Sequence, residues 1–358
     1  MPEPECDWQP CTPEVASRLA APDALIHRDP FATPFHDPRL IAAFQQIFRP
    51  QERLRIATVR DTAGQATAQF ALVERRTRLG PVPMRQLEAG PRNQASLTGM
   101  LVDPATPDAA VQLLTCLRRQ SGWDLLECRA VPAESALARA AEAVGAAVRR
   151  DVPAAAIAAS DDPSLLSGDR RRRLGRLQRR MQEHEGTTLA LVGPEDPGWR
   201  DALAGLTHWH TERWRYTPTP SPFGNADVTR RFLDRMSGPG APPGAFASIL
   251  RNERDGQVRG VVLAFEGPHD VHAWRIGYDS ALNPYSPGIQ MVTQLVHETA
   301  RRGYGFLELG RGADAYKQTW HAIERHRVTV RWHRPTSRCR LIAGAARLAG
   351  RRWTGWGA

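Results

Sequence analysis

Residues 310–317, with the sequence Gly-Arg-Gly-Ala-Asp-Ala-Tyr-Lys, gather side chains that can move a proton or hold an anion. Of the 48 basic residues in the chain, Lys317 is the only lysine, and the other 47 are arginine. A lysine in such a background suggests a need for its compact ammonium, which a planar guanidinium cannot replace. Asp314 could take a proton from an acceptor, Tyr316 could bond a leaving group, and Lys317 could hold a phosphate or oxyanion. We therefore predict these three as catalytic, the alternative being an Asp314–Lys317 surface pair of about 0.3–0.5 kcal/mol.

A second candidate site is the sequence Tyr-Ser-Pro-Gly at 285–288, between a predicted strand and a predicted helix. Ser286 can cap the helix, and Pro287 suits its first turn, where the missing N–H costs nothing. Gly288 allows a ligand to approach the backbone, and the free N–H groups of a helix start attract anions. We predict that Tyr285 to Gly288 bind a cofactor phosphate, the alternative being a capped helix without a ligand.

Further candidate residues lie at the ends of other predicted elements. Mixed α/β sheets place ligands beyond the carboxyl ends of their strands, so Arg311 and Gly312 are assigned to the cofactor. His208 and Glu212 are four residues apart on a helix, but no third metal ligand accompanies them, so no metal site is predicted. The predicted substrate-binding residues border a groove and are His210, Arg213, Trp214 and Asp279.

Composition narrows the class of protein. The chain has 358 residues, of which 41% are hydrophobic and 24% charged, as in ordinary globular proteins of two domains. Its acidic, proline-rich start does not resemble a signal peptide, and no apolar run approaches the roughly 18 residues of a membrane span. The five cysteines include no CxxC pair. We therefore expect a cytoplasmic protein with reduced thiols.

The net charge of +10 is unevenly distributed. No acidic residue follows Glu324, whereas nine arginines lie between Arg325 and Arg352. A second basic block, at 170–180, is balanced by acids elsewhere. Such patches can contact an anionic membrane or another polyanion, or can be solvated faces. A stable nucleic-acid partner is not expected.

Hydrophobic periodicity predicts the same order of elements twice. In the second half, the predicted helices are 165–185, which is basic, 199–214, 228–236 and 288–302. The predicted strands there are 187–192, 246–251, 258–265, 271–278, 306–309 and 326–332. In the first half the predicted strands are 54–60, 67–75, 82–87, 125–128 and 152–158, with helices at 109–119 and 134–147. Three antiparallel strands followed by alternating helices and strands indicate an α/β protein with a mixed sheet in each half.

The segment 159–168 is rich in Ser, Asp and Pro and is the predicted domain boundary. We therefore predict an N-terminal domain at 1–160, a C-terminal domain at 161–335 and a basic tail or helix at 336–358. The first half has no Ser-Pro-Gly helix start in the segment 87–93. The N-terminal domain is therefore predicted to be the non-catalytic copy.

The Ser-Pro-Gly start at 286–288, the pair Arg213-Trp214 and the string at 310–317 together resemble the CelD-type acetyltransferases, which are associated with cellulose and exopolysaccharide synthesis. These are a branch of the GNAT (acyl-CoA N-acyltransferase) superfamily related to the FemAB aminoacyltransferases. The resemblance covers about 33–332. It implies tandem GNAT-like domains and binding of coenzyme A pyrophosphate at the helix start that follows Tyr285.

The resemblance implies a cytoplasmic acyltransferase that moves an acyl group from acyl-CoA, commonly acetyl-CoA, to an amine or hydroxyl of a sugar-derived or other small metabolite. Direct transfer relies on positioning and oxyanion stabilisation rather than a nucleophile, and the chain has no Gly-x-Ser-x-Gly or Walker motif. Two alternatives stay open: FemAB-like aminoacyl transfer from charged tRNA, and a non-catalytic protein that binds anionic membrane or nucleic acid.

Overall fold

The computed structural model describes residues 6–21, 24–79, 82–90, 94, 97–160, 166–312 and 315–334. Asp314 and the predicted tail at 336–358 lie outside the described residues. The described chain forms two compact units: the first contains the residues within 6–45, 49–152 and 326–334, and the second those within 46–48 and 153–325.

The first unit is an α/β unit built on a single mixed sheet. Its elements are β1 (Asp7–Pro10), α1 (Pro13–Arg18), α2 (Pro38–Phe48, whose last three residues group with the second unit), β2 (Arg53–Arg60), β3 (Ala66–Leu79), β4 (Val82–Ala89), β5 (Leu101–Val102), α3 (Ala109–Arg119), β6 (Leu125–Pro132), α4 (Ala136–Ala143), β7 (Ala147–Arg150) and, from the end of the chain, β15 (Arg327–His333). The strand order is β1-β2-β3-β4-β6-β15-β7, with β5 paired to β3. Neighbouring strands are antiparallel except β4 and β6.

The second unit repeats this plan. Its elements are β8 (Ala154–Ala158), α5 (Gly168–Glu185), β9 (Thr187–Val192), α6 (Trp199–Trp214), α7 (Ala226–Ser237), β10 (Ala245–Asn252), β11 (Val258–Glu266), β12 (Val271–Tyr278), α8 (Pro287–Arg301), β13 (Phe306–Arg311) and β14 (Ile323–Arg325). The strand order is β14-β8-β13-β12-β11-β10-β9, and among the described strand pairs of this second sheet only β12 and β13 are parallel. The predicted α/β fold with a mixed, largely antiparallel sheet in each half is confirmed.

Each sheet contains one strand that the sequence analysis assigned to the other domain. β8, which the sequence analysis placed in the first domain, lies between β13 and β14 of the second sheet. β15, placed in the second domain, lies between β6 and β7 of the first sheet. The units accordingly divide at 152/153 and 325/326 rather than at 160/161 and 335/336. Periodicity identifies a strand but not its hydrogen-bonding neighbours, which explains these two differences.

Local sequence accounts for most helix limits. α6 and α3 have the predicted bounds, and α8 starts one residue earlier than predicted, with Pro287 at its first position. α4 ends at Ala143 instead of 147, because Gly145 adopts a φ of 78°, which turns the chain into the unpredicted strand β7.

Apolar side chains of α8 hold the helix on its sheet. Met291, Val292, Leu295 and Val296 are buried in one cluster with residues of β10 to β13. Their spacing places them on one face of α8. This packing fixes the start of α8 at the carboxyl end of β12.

Cys6 and Cys116 form a disulfide that links the N-terminal segment to α3. The prediction of uniformly reduced thiols is therefore wrong for this pair, because 110 residues of sequence separation hide a contact that only folding creates. Cys11 and Cys128 are free thiols, and burial raises the pKa of Cys11 to about 11, with the charge of Asp37 as a second cause. Cys339 lies outside the described residues.

Within the described part of the chain, no helix is both long and apolar enough to cross a membrane.

Candidate active site

The start of α8 is a sharp turn that is connected to β12 by a short helical segment. A 3₁₀ helix at Ser280–Tyr285 leads into Ser286, which adopts a left-handed conformation with a φ of 54°. The Ser286 side chain makes no cap bond, so its predicted capping role is wrong; its carbonyl oxygen instead accepts the Gln290 N–H at 3.2 Å. The N–H groups of Gly288 and Ile289 have no partner within the helix, as helix geometry requires.

Gly288 lies against β12. A Cβ atom built on it would be 3.4 Å from both Ile276 Cδ1 and Tyr278 Cε1, which is ordinary contact. A methyl group therefore fits there, whereas a long side chain would have to extend along the helix start. Close approach of a ligand to the backbone is consistent with the glycine.

Two polar side chains flank this turn. Gln290 is 4% exposed, and its Nε2 donates to the Tyr285 carbonyl at 2.7 Å, while its Oε1 is buried without a hydrogen-bond partner. The Tyr285 hydroxyl donates to Glu185 Oε1 at 3.3 Å. Burial and then the Glu185 carboxylate raise the pKa of Tyr285 above its usual 10, so the phenol stays protonated.

The parallel strands β12 and β13 diverge beside the start of α8. Among the described residues, their ladder contains two pairs, Val271 with Leu307 and His272 with Glu308, both at the amino ends of the strands. β12 then continues to Tyr278 and β13 to Arg311 without further pairing between them. A gap between two strands, flanked by a helix start, is a form of cleft that mixed sheets use for ligands.

The loop after β13 encloses the only lysine of the chain. Gly310 and Gly312 have φ values of 69° and 93°, so their carbonyl groups and that of Arg311 turn toward the interior. Lys317 is 1% exposed, and its Nζ donates to the carbonyl oxygens of Arg311 and Gly312 at 2.8 Å each and of Gly310 at 3.4 Å.

This geometry assigns Lys317 a structural function. A compact ammonium can point three donors at three carbonyl groups, and a guanidinium of larger, planar shape cannot occupy the same space. The buried, backbone-bonded ammonium argues against the predicted role of Lys317 in holding a phosphate or an oxyanion. Asp314 lies outside the described residues, so its predicted role stays a prediction.

Tyr316 is an accessible residue of this loop. It is 42% exposed on a 3₁₀ helix at Ala315–Trp320, and its ring meets that of Trp320 edge-on at a centroid distance of 6.4 Å. Trp320 is buried and donates from Nε1 to Thr293 Oγ1 of α8 at 3.1 Å. The loop after β13 and the helix α8 are therefore joined at one end of the sheet.

The opposite face of the sheet carries α6 at the same end. A Cβ atom at Gly277 of β12 would lie 2.5 Å from the backbone nitrogen of His210, so the α6 backbone packs directly on this glycine. The Arg213 guanidinium lies 5.6 Å from the centre of the Tyr278 ring. Trp214 is 37% exposed and stacks on His210 at a centroid distance of 5.8 Å.

His210 is a buried, neutral imidazole. Its Nδ1 is 2.8 Å from Ser221 Oγ, and burial, followed by the charges of Arg275 and Arg213, lowers its pKa to about 3. Burial also lowers the pKa of Arg275, to about 10. His210 is therefore a buried, uncharged residue at neutral pH, and Arg213 is an exposed polar residue at this helix end.

Asp279 is engaged by the protein itself. Its Oδ2 accepts from Arg259 Nε at 2.9 Å and Nη2 at 2.5 Å, and its Oδ1 accepts the Ala281 N–H at 2.9 Å. Arg259 also lies 3.7 Å from Glu185. Asp279 therefore caps a turn and pairs with an arginine, which argues against its predicted role as a groove carboxylate.

The structure brings three of the predicted groups to one end of the second sheet: the α8 start, the loop at 310–317 and the end of α6. Sequence reasoning did not identify Gly277, Arg259, Arg275 or Gln290. A glycine inside an otherwise apolar strand was the available signal for Gly277. The other three carry no local signal, because their neighbours are distant in sequence.

Residues 168–318 match the Acetyltransferase (GNAT) domain family. The match contains the α8 start and the loop that follows β13, and it assigns acyltransferase chemistry to the second unit. The protein is thus an enzyme of the acyltransferase type. No curated protein matches the chain.

Solved structures share the fold across nearly the whole chain. FemX is 10% identical with a TM-score of 0.64, and the similarity covers 91% of this chain and 97% of that one. L-PGS from Bacillus licheniformis is 12% identical with a TM-score of 0.54, covering 96% and 99%. The C-terminal DUF2156 domain of an Agrobacterium fabrum protein is 12% identical with a TM-score of 0.56, covering 94% and 96%. At these identities the likeness shows the fold alone.

Proposed function

We propose that the second unit transfers an acyl group, commonly acetyl, from acyl-CoA to an amine or hydroxyl of a small, sugar-derived metabolite. The observation that carries the proposal is the divergence of β12 and β13 next to the N–H groups at the start of α8. It provides an elongated gap with an anion-binding helix start at its edge, which suits a long ligand with a pyrophosphate. The acetyltransferase domain match covers both features.

The residues around α8 fit acyl-CoA. The first turn of α8 contains no acidic side chain, so the partial positive charge of the helix start is not neutralised there. Gly288 allows a phosphate to approach the backbone, and the unpartnered Gln290 Oε1 offers an acceptor for an amide N–H. Among the residues first assigned to the cofactor, Arg311 is exposed and Tyr285 half-buried.

Acyl-CoA supplies a thioester, whose acyl carbon the acceptor attacks while the thiolate departs. Direct transfer needs the acceptor held in line and the developing oxyanion bonded by fixed donors. Tyr316, the exposed phenol of the loop, is proposed to donate its proton to the leaving thiolate, and Asp314 to take the proton of the acceptor. Both roles are those predicted from the sequence for Tyr316 and Asp314, and no catalytic role is proposed for Lys317.

The acceptor is proposed to enter on the α6 face. Arg213 and Trp214 are exposed at the end of that helix and can bind a polar ring through charge and stacking. The finer resemblance to CelD-type enzymes suggests a role in polysaccharide biosynthesis. We also propose that the protein is cytoplasmic and that the exposed arginines of α5 permit peripheral contact with an anionic membrane.

A titration of acetyl-CoA into the intact protein tests the proposal, with release of free thiol measured against amino sugars. We expect binding to one site per chain and acceptor-dependent thiol release. Absence of any heat with acetyl-CoA, succinyl-CoA and a long-chain acyl-CoA would refute acyl-CoA as the donor.

Aminoacyl transfer from charged tRNA is the second candidate function, favoured by the shared fold with FemX and by the exposed arginines at 170–173, 176, 179 and 180 on α5. The two donors are distinguished by ribonuclease treatment. Loss of activity after ribonuclease in the presence of acyl-CoA would favour tRNA, whereas insensitivity supports acyl-CoA.

A further inference from the structure

The first unit contains a cavity that the proposed reaction does not use. Its volume is about 510 Å³, and it lies between the end of α1, the 3₁₀ helix at Leu25–His27 and the turn that joins β2 to β3. This volume falls in the range of about 300–1,000 Å³ that small-molecule sites occupy.

Three arginines line the cavity from three different elements. Arg18 ends α1, Arg28 follows the 3₁₀ helix and Arg60 ends β2. Asp103 pairs with Arg28, so one of the three positive charges is offset. Among the described lining residues none is acidic, so the described wall of the cavity carries an excess of positive charge.

The arginines are held in place by the backbone around them. Arg28 Nη2 donates to the Ala66 carbonyl at 2.9 Å, and its Nε is buried without a hydrogen-bond partner. Arg60 Nη1 donates to the Gly64 carbonyl at 2.9 Å. Ala66 and Gly64 themselves line the cavity, so two guanidinium groups are anchored at its wall.

A buried amide also faces the cavity. Gln69 on β3 is 3% exposed and lines it. Alternation along β3 places Gln69 on the same face as Ala71 and Val73, which pack under α1 and α2 rather than under α3. Its carboxamide can bond a hydroxyl or amide group of a ligand in the cavity.

We propose that this cavity binds a small phosphate monoester. Guanidinium groups bind phosphate oxygens through paired hydrogen bonds, and a monoester carries nearly two negative charges at neutral pH. Leu19 and Leu25 cover the organic part of the ligand, and Gln69 bonds one of its polar groups. The first unit then acts as a binding unit for a phosphorylated metabolite, independently of the acyl transfer proposed for the second.

Calorimetric titration of the intact protein, without any CoA compound, tests the proposal. The probes are glycerol 3-phosphate, glucose 6-phosphate and AMP, with inorganic phosphate and glucose as references. We expect at least one monoester to bind about tenfold or more tightly than both references, and its affinity to fall as salt is raised. No binding of any monoester, or binding no tighter than that of inorganic phosphate, would overturn the proposal.

Variants locate the binding. Arg60→Ala is expected to weaken monoester affinity by about tenfold, and Gln69→Glu, which directs a carboxylate into the cavity, by about a hundredfold. The matched control Arg76→Ala removes an exposed arginine on β3 outside the cavity and should leave affinity unchanged. Arg60→Ala changes an exposed side chain, so it keeps the test valid if Gln69→Glu fails to fold.

The α8 start of the second unit is the competing phosphate site, and Gly288→Glu separates the two. We expect monoester binding to persist in Gly288→Glu and to fall in Arg60→Ala. The reverse pattern, or equal effects of Arg60→Ala and Arg76→Ala, would overturn the assignment to the cavity.

Discussion

The two units carry the same strand plan but treat the space between their parallel strands differently. In the second unit, the described part of β13 has no backbone bond to β12 beyond Glu308. In the first unit, the pairing of β4 with β6 extends as far as Glu88 and Glu127. Thr98 then bonds to the next two carbonyl oxygens of β6: its hydroxyl donates to that of Arg129, and its N–H donates to that of Ala130 at 3.3 Å. In the first unit, the chain at Thr98 therefore occupies the position beside β6 that is left unpaired beside β13 in the second unit.

The helices α3 and α8, which come after β4 and β12 in the chain, differ as well. α8 has no acid at its N-cap or in its first turn, whereas the N-cap residue of α3 is Asp108. Negative charge at a helix start satisfies the dipole and repels an anionic ligand. The segment equivalent to the α8 start is thus 103–108, not the segment at 87–93 used in the sequence analysis. We propose on these grounds that the first unit is the copy that does not bind acyl-CoA.

The largest expected effect is on acyl-CoA binding at α8. Gly288→Glu adds a carboxylate where the pyrophosphate is proposed to lie, and we expect at least about 10³-fold weaker binding, roughly 4 kcal/mol. Gly288→Ala is the matched control, because a methyl group makes ordinary contact there, and it should bind within a few-fold of wild type. Calorimetry measures both. Unchanged affinity in Gly288→Glu, or two acyl-CoA sites per chain, would end the distinction between the units.

The next effect concerns the loops after β6 and β13. The first continues into α4, capped by Ser135, while the second depends on Lys317 to bond three carbonyl groups. Lys317→Met should lower the unfolding free energy by about 3 kcal/mol, because the carbonyls lose their buried partner.

Lys317→Arg should also destabilise, since the larger group does not fit the enclosure. Chemical denaturation measures both variants against Arg176→Ala on the exposed face of α5. If the denaturation midpoint of Lys317→Arg equals that of the wild type, Lys317 does not need the enclosure of the three carbonyl groups, and a role in ligand binding is again open to it.

A smaller effect should be confined to the first unit. Cys6→Ser removes the disulfide to Cys116 and should cost about 2 kcal/mol, since the cross-link restrains the unfolded chain. Cys11→Ser, which removes a free thiol of the same unit, is the control. Chemical denaturation without reductant, monitored by the near-UV signal of the aromatic side chains, detects the change. Equal stability of Cys6→Ser and wild type would show that this disulfide does not stabilise the first unit.

The smallest effect is on pH dependence and belongs to the second unit. His210 has a pKa of about 3 in the folded protein, below the ordinary value near 6.5. As pH falls, the unfolded state therefore binds the extra proton first. Stability is lost between pH 6.5 and pH 3, by up to about 1.4 kcal/mol for each pH unit. His210→Gln should flatten the melting temperature between pH 6.5 and 5, and His208→Gln, an exposed neighbour, should not.

A residual pH dependence should remain in His210→Gln, because burial lowers the pKa of His36 in the first unit to about 4. Identical slopes for His210→Gln and wild type would mean that His210 is not buried neutral.

Several elements of the molecule are decided by local sequence. α3, α6 and α8 follow from apolar spacing and from proline and glycine at their ends, and the alternation of strands and helices indicates the α/β class. The α8 start is a candidate site from four residues alone, because a proline and a glycine at a helix start after a strand have local physical consequences. The sequence also singles out Lys317 as unusual.

Tertiary structure decided the roles that depend on distant partners. Lys317 is a structural residue because two left-handed glycines turn carbonyl groups toward it, and Asp279 is engaged because Arg259 lies on the neighbouring strand. The exchanged strands β8 and β15 and the disulfide of Cys6 depend on which segments meet in space. Local pattern sets the conformation of a segment through short-range sterics and hydrogen bonds. Burial, pairing and the resulting function are set by contacts between residues far apart in the chain, and no local pattern encodes those contacts.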